Sequence, residues 1–185
     1  MGTDKAFLEL SGRSLLTNAL ELAQSVATEV RIVGDPARFS AFGAVVQDVY
    51  PNRGPLGGIH AALAASDAEL NLIIAADLPL LDVRLLKLLI DIAGNCDALV
   101  TVPRVAGNYE PLCAVYRKPF VAFAEAALAA NRNKVDALFS AVPVRLVSDD
   151  EFAHGGFSLA MFRNVNTPED WKQIQEEFAN RDTRL

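Results

Sequence analysis

A short apolar run that ends in an aspartate and a proline most constrains the fold of this chain. The segment Asn71–Leu81 reads NLIIAADLPLL, with Asn71 before the apolar residues and Asp77 directly after them. Such a run predicts a buried strand of a parallel sheet. Because Pro79 arrests the backbone soon afterwards, Asp77 is expected at the carboxyl edge of the sheet, where open α/β folds bind ligands. A turn in which Asp77 only hydrogen-bonds nearby backbone, with Asp82 capping the next helix, explains the same residues.

The rest of the chain alternates between helix-like and strand-like segments. Apolar spacing and composition predict helices at 15–27, 59–65, 83–93, 119–130 and 134–139, and strands at 30–33, 45–49, 98–103, 111–116, 142–147 and 162–165. This alternation predicts a Rossmann-like three-layer α/β/α fold with a mostly parallel sheet. Antiparallel additions are expected at 111–116 and 142–147. We expect a single domain over residues 1–185, since 51% of the residues are hydrophobic and can fill a two-sided core.

Charge and cysteine content exclude several function classes. A net charge of −6 argues against nucleic-acid or anionic-membrane partners, because little positive charge is available to neutralise phosphates in bulk. No apolar run reaches the roughly 18 residues of a membrane span, and the start lacks the layout of a signal peptide. Cys96 and Cys113 lie in apolar stretches, as buried thiols of a reduced cytoplasmic protein do, although a disulfide between them stays open.

A glycine-rich segment provides a second candidate for ligand binding. Residues 52–58 read NRGPLGG and precede a predicted helix, so the backbone N–H groups of Gly54, Leu56 and Gly57, with Pro55 between them, are expected to form an anion cradle. Two further strands end near aspartates, Asp35 and Asp48. In a sheet of this type these loops converge with Asp77 on one edge.

The same edge is expected to receive a lysine and two asparagines. Asp77 suits Mg²⁺ as a hard oxygen ligand, and Lys5 would neutralise charge on a nucleoside triphosphate bound with that metal. An exposed terminal charge is the simpler interpretation of Lys5. Asn164 and Asn166 lie two apart on a predicted strand and share a face, where an amide both donates to and accepts from a ligand.

Helix capping explains the residues that follow these asparagines without any function. Thr167 is expected to cap the last helix, with Pro168 at its first position and Asp170 three residues after the cap. This capping box leaves Asn164 and Asn166 unexplained.

Five motifs together resemble the nucleotidyltransferase family that contains the molybdenum cofactor guanylyltransferases. They are MGTDKAFLELSGRSLL at 1–16, GPLGGIHAAL at 54–63, IIAADLPLL at 73–81, EPLCAVY at 110–116 and NVNTPED at 164–170. The resemblance implies a nucleotidyltransferase fold and transfer of GMP from GTP to the phosphate of molybdopterin, with release of pyrophosphate. It also implies transient contacts with proteins that supply or receive the cofactor.

The resemblance also assigns roles to individual residues. Lys5 falls on the phosphate-binding lysine, and Asp77 on the aspartate that contacts Mg²⁺ and GTP. Asp35 and Asp48 fall near two further GTP-contacting positions, whereas Asn164 and Asn166 fall on the motif associated with the pterin side of the site. The acceptor phosphate would be the nucleophile.

One departure from the family keeps other functions open. The opening strand and its loop of the type L-A-G-G-x-S-x-R are expected immediately before Met1, and the sequence does not contain them. We therefore expect the natural protein to be longer. A related transferase that uses CTP or another phosphorylated acceptor, and a non-catalytic nucleotide-binding module, are the alternatives.

Overall fold

Seven helices and nine short strands form the part of the chain that this computed structural model describes, residues 5–182, with side chains described through residue 178. The helices are α1 (Leu15–Gln24), α2 (Pro36–Phe39), α3 (Pro55–Ala65), α4 (Val83–Gly94), α5 (Phe120–Ala129), α6 (Asp149–His154) and α7 (Pro168–Asp182). The strands are β1 (Glu9–Leu10), β2 (Arg13–Ser14), β3 (Ile32–Val33), β4 (Val45–Val46), β5 (Leu70–Ile74), β6 (Val100–Val105), β7 (Asn108–Tyr109), β8 (Cys113–Arg117) and β9 (Val144–Ser148). Short 3₁₀ turns lie at Lys5–Phe7, Asp136–Leu138 and Leu159–Phe162.

The main sheet is mixed, with the order β5-β8-β6 and with β9 and β7 also paired to β6. The strands β5, β6 and β9 run in one direction, and β8 runs against them, as predicted for 111–116. The antiparallel prediction for 142–147 is wrong, because β9 pairs with β6 in parallel. Strand β8 ends at the end of the sheet where β6 begins. The chain is at that same end when β9 starts, so β9 runs in the direction of β6.

Strand β5 is less enclosed than its sequence predicts. All five of its residues are half-buried, so the prediction of a buried strand is wrong. It runs in the same direction as β6 and β9, as predicted for a parallel strand, although its paired neighbour among the described strands, β8, is antiparallel. The strands β3 and β4 form a separate parallel pair, and within residues 5–182 no ladder joins them to β5. One edge of β5 is therefore free of strand pairing in the described structure.

Helices cover both faces of the sheet, which confirms the three-layer arrangement. Tyr116 packs with α3 and α5 on one face, whereas its neighbour Val115 packs with α4 and α6 on the other, as the alternation of a strand requires. Tyr116 is fully buried, and its hydroxyl donates to the carbonyl oxygen of Pro111 at 2.8 Å. Burial of each large apolar side chain contributes about 1.5–3 kcal/mol to stability.

Helix starts follow local capping chemistry, with two differences from prediction. Asp82 caps α4 as expected, accepting from the N–H of Arg84 at 2.7 Å. Helix α3 begins at Pro55 rather than near residue 59, because Gly54 has a positive φ of 64° and Pro55 fits the first helical position. Helix α6 lies in a stretch where no helix is predicted, and a capping box of Ser148 and Glu151 starts it. Of the described helices, none has the length and apolar character needed to cross a membrane.

The start of α6 gives the protein a defined acid sensitivity. Hydrogen bonding from Arg145 lowers the pKa of Glu151 from 4.5 to about 2. The charged form therefore stabilises the fold above pH 4.5, and that contribution is lost as the pH falls towards 2. We expect Glu151→Gln to lower the free energy of unfolding at pH 7 by about 1 kcal/mol or less, since the pair is partly exposed.

Urea unfolding at pH 7, 4 and 3 measures this effect. The difference between the original protein and Glu151→Gln should shrink between pH 4.5 and 2. The exposed Glu125 on α5 provides the control. We expect Glu125→Gln to have nearly the same free energy of unfolding as the original protein at each pH. If the difference in free energy of unfolding between the original protein and Glu151→Gln grew at low pH, the lowered pKa of Glu151 would be contradicted.

Candidate active site

Asp77 lies in the turn that follows β5, with its backbone and its side chain in different environments. Its carbonyl oxygen accepts a hydrogen bond from the N–H of Val165 at 3.2 Å. Its carboxylate is half-buried, and no residue of the described chain gives it a hydrogen bond or an ion pair. The buried side chains of Leu78 and Leu80 anchor the turn that follows. The fold therefore fixes the backbone of Asp77 and leaves its carboxylate available to a ligand.

Lys5 and Asn166 meet beside this turn, although they come from opposite ends of the chain. The Nζ of Lys5 donates to the Oδ1 of Asn166 at 2.8 Å. The backbone N–H of Asn166 donates to a carboxylate oxygen of Asp170 at 3.0 Å, and the N–H of Thr167 to the same oxygen at 2.7 Å. The N–H of Asp170 in turn donates to the Thr167 hydroxyl at 3.0 Å, which confirms the predicted capping box. The hydrogen bonds between Asp170 and Thr167 are the main cause that lowers the pKa of the Asp170 carboxyl, and the N–H of Asn166 lowers it further.

Asn164 is held near Asp77 by its neighbour Val165 rather than by a strand. The prediction of a strand at 162–165 is wrong, because a 3₁₀ turn at Leu159–Phe162 occupies part of it and the residues after the turn join no ladder. The shared strand face expected for Asn164 and Asn166 is therefore absent from the described structure. Asn166 binds Lys5, whereas the half-buried Asn164 has no described side-chain partner.

Aromatic packing holds the Lys5 turn against α2. The ring of Phe7 lies 5.9 Å from that of Phe39 and 5.7 Å from that of Phe42, measured between centroids. Asp35 stands at the start of the same helix, where its exposed carboxylate accepts from the N–H of Ala37 at 2.9 Å. Helix capping therefore accounts for the position of Asp35, and the aromatic cluster connects its helix to Lys5.

The glycine-rich segment forms the first turn of α3 and lies against Asp48. Pro55 has no N–H, the N–H of Gly57 donates to the carbonyl of Gly54 at 3.1 Å, and Leu56 is fully buried in the core. The carboxylate of Asp48 accepts from the N–H of Tyr50 at 2.9 Å. The structure thus places a carboxylate beside the helix start, a position that the helix dipole favours for negative charge.

One cleft adjoins the turn that contains Asp77, and a larger groove lies away from it. A cleft of about 330 Å³ separates α1 from the end of β5, and Ala76, Leu78 and Pro79 line it next to Asp77. A larger groove of about 620 Å³ lies at the end of α1 against Lys87 and Asp91 of α4, and none of the predicted site residues lines it. The smaller cleft is the one that adjoins the candidate site.

Glu110 is a polar residue that the sequence interpretation did not single out. It precedes Pro111 and β8, it is half-buried, and burial raises the pKa of its carboxyl. A charged residue directly before the proline of an otherwise apolar motif was the available signal.

The fold is that of the nucleotidyltransferases, as comparison with solved structures shows. A crystal structure of molybdopterin-guanine dinucleotide biosynthesis protein A from Archaeoglobus fulgidus superposes with a TM-score of 0.85 at 22% identity, covering 97% of this chain and 92% of that one. The family model described as MobA-like NTP transferase domain matches residues 1–134. The chain belongs to the MobA-like NTP transferase family.

Curated relatives extend over nearly the whole chain. A probable molybdenum cofactor guanylyltransferase from Carboxydothermus hydrogenoformans is 29% identical over 97% of this chain and 90% of its own length. A molybdenum cofactor guanylyltransferase from Desulfosudis oleivorans is 32% identical over 94% of this chain and 87% of its own.

More distant solved structures share the fold alone. CMP:2-keto-3-deoxy-manno-octonic acid synthetase complexed with CTP has a TM-score of 0.73 at 12% identity, covering 96% of this chain and 92% of that one. A Mycobacterium tuberculosis protein in complex with manganese has a TM-score of 0.64 at 18% identity, covering 95% and 93%.

The contact between Asp48 and α3 can be tested with two neighbouring glycines. A methyl group on Gly57 would lie 2.9 Å from the Oδ2 of Asp48 and 3.0 Å from the carbonyl oxygen of Tyr50. We expect Gly57→Ala to lower the free energy of unfolding by about 1–3 kcal/mol.

Gly58→Ala is the matched control. Its added methyl group would lie 3.8 Å from the side chain of Val33, an ordinary contact, and alanine favours the helix by about 0.5–1 kcal/mol. Thermal and urea unfolding should show that Gly57→Ala is less stable than the original protein and that Gly58→Ala is more stable. Equal effects would contradict close packing of Asp48 on Gly57.

Proposed function

We propose that the protein transfers GMP from GTP to the terminal phosphate of molybdopterin and releases pyrophosphate. The names of the relatives support this reaction, and the observation that carries it is the contact of Lys5 with Asn166 beside the turn that contains Asp77. A cation, an amide and a free carboxylate at one sheet edge are the groups needed to hold two phosphorylated substrates. We extend the proposal to one catalytic domain over residues 1–185.

The reaction joins two phosphates without a covalent enzyme intermediate. An oxygen of the acceptor phosphate attacks the α-phosphorus of GTP, the new P–O–P bond forms, and the bond to the β-phosphate breaks so that pyrophosphate leaves with its electron pair. The acceptor phosphate is already an anion near pH 7, so no general base is required. Positioning and charge stabilisation therefore supply most of the catalysis.

Lys5 and Asn166 are suited to the phosphates of both substrates. The Nζ of Lys5 uses one of its three donors on Asn166, which leaves two for phosphate oxygens. The Asn166 amide nitrogen remains a donor once its oxygen has accepted from Lys5. We propose that this pair contacts the transferring phosphoryl group, with GTP on the Lys5 side and the acceptor on the Asn166 side.

Asp77 fits the role of a Mg²⁺ ligand in this proposal. Its carboxylate has no described partner, and among residues 5–182 no group of three or more acidic, histidine or cysteine side chains could hold a metal. This pattern suits a cation held by one protein carboxylate, phosphates and waters, as Mg²⁺ commonly is. When bound, the metal supplies charge neutralisation at the phosphates.

The remaining predicted residues complete the proposed substrate sites. Asp35, Asp48 and the backbone of Gly54–Gly57 belong to the GTP side, and Asn164 belongs to the acceptor side. The two free cysteines support a reducing compartment, so we propose a cytoplasmic enzyme. Proteins that supply or receive the cofactor are its proposed transient partners.

CTP is the second candidate donor, since a solved structure with the same fold is a CTP complex. Isothermal titration of GTP and CTP with Mg²⁺ decides between the two donors. Tighter binding of GTP supports the proposal, and tighter binding of CTP contradicts it. Binding of a nucleotide without pyrophosphate release in the presence of molybdopterin would instead favour the non-catalytic alternative.

Asp77→Asn tests the metal role. The substitution removes the charge but keeps the shape, so we expect pyrophosphate release to fall by about 100-fold or more with an unchanged melting temperature. Asp67→Asn, in the exposed segment before β5, should retain full activity. Unchanged turnover in Asp77→Asn would remove Asp77 from the site.

A double-mutant cycle tests the cooperation of Lys5 with Asn166. We expect Lys5→Ala and Asn166→Ala each to lower kcat/KM, and the double variant to lose less than the two effects combined, with a coupling energy of about 0.5–3 kcal/mol. Lys87→Ala on α4, paired with Asn166→Ala, should give independent effects. Loss of thermal stability alone in Asn166→Ala would reduce Asn166 to a structural role.

A further inference from the structure

The backbone places Glu110 beside the candidate site. The N–H of Ala75 donates to the carbonyl oxygen of Leu112 at 2.8 Å, one position beyond the last ladder pair, Ile74 with Cys113. Residues 110–113 then form a turn just before β8, in which the N–H of Cys113 donates to the carbonyl of Glu110. Because β5 ends where the antiparallel β8 begins, Glu110, which precedes β8, and Asp77, which follows β5, stand at the same edge of the sheet.

The backbone around Glu110 is firmly held. Its N–H donates to the carbonyl of Pro103 at 3.0 Å, and its own carbonyl accepts from the N–H of Cys113 at 3.0 Å. The next carbonyl, that of Pro111, accepts from the buried hydroxyl of Tyr116 at 2.8 Å. These three hydrogen bonds fix the position from which the side chain extends.

The carboxylate itself has no partner in the described part of the chain. Other partly enclosed glutamates are ion-paired, Glu151 with Arg145 and Glu177 with Arg163, but no described residue gives Glu110 a hydrogen bond or a salt bridge. Burial alone raises the pKa of Glu110, so water has been partly removed without a replacement. An acceptor that is desolvated and unpaired gains strongly from a ligand that donates to it.

We propose that Glu110 is a substrate-recognition residue whose carboxylate accepts the paired N–H and amino donors of a 2-amino-4-oxopyrimidine ring. The inference rests on the proposed function, because guanine of GTP and the pterin of molybdopterin both contain this ring. A carboxylate accepts two parallel N–H bonds and repels phosphate, so the ring is the part of either substrate that suits it. The proposal concerns binding, and Glu110 takes no part in the chemical step.

Two matched ligand pairs identify the ring. ITP is GTP without the 2-amino group, and lumazine is pterin with an oxygen in place of that group. We expect the original protein to bind GTP over ITP, or pterin over lumazine, by about 10- to 100-fold, and Glu110→Gln to lose that preference. Isothermal titration measures all four ligands, and the pair that responds shows which substrate Glu110 binds.

Controls keep the result independent of folding and of the proposed reaction. Glu125→Gln, an exposed change on α5, should keep the preference, and Glu110→Asp, which withdraws the carboxylate by one methylene, replaces the glutamine variant if that variant does not fold. The inference is overturned if the Glu110 variant still prefers GTP over ITP and pterin over lumazine. It is also overturned if the original protein binds both members of each pair equally. Failure of the original protein to release pyrophosphate from GTP and molybdopterin overturns the proposed function separately.

Discussion

The hydrogen bond from the N–H of Val165 to the carbonyl of Asp77 is the contact on which the candidate site depends. It joins the end of β5 to the segment before α7, and that segment carries both asparagines. Val165 is fully buried and packs with Leu80 and Ile174 of α7, so apolar burial holds the polar residues in place. The contact of Lys5 with Asn166 then adds a third segment to the same edge. The geometry of the site is thus a property of tertiary packing.

Features that depend on a few neighbouring residues could be predicted from the sequence. The caps at Asp82 and Thr167 were predicted because each requires a side chain only two or three residues from the backbone group that it binds. The direction of β9 and the half-exposure of β5 could not be predicted, because both depend on which strands lie next to them in the sheet. The start of α3 was missed for a different reason, since its glycines were interpreted as a loop although Pro55 fits the first position of a helix.

The site residues divide in the same way. The position of Asp77 after β5 follows from one apolar run, whereas the pairing of Lys5 with Asn166 joins residues that no local pattern relates. The resemblance assigned them to different substrates, and their direct contact is the reason we propose that the two phosphates meet there. Glu110 was overlooked because its position before Pro111 gives only a weak signal in the sequence. Its desolvation exists only when β8 is packed in the sheet.

Base specificity must reside in the edge residues, since the same fold is found in a CTP complex and in a 2-C-methyl-D-erythritol 4-phosphate cytidylyltransferase. The described carboxylates of the proposed site differ in their remaining hydrogen-bonding capacity. Asp35 and Asp48 each accept a nearby backbone N–H, whereas Asp77 and Glu110 have no described partner. Asp77 is joined through Val165 to the segment whose Asn166 contacts Lys5, and in the proposed site a cation and phosphates would balance its charge. Burial partly desolvates Glu110, and a neutral ring with paired donors satisfies such a group without bringing a second charge into a poorly solvated position.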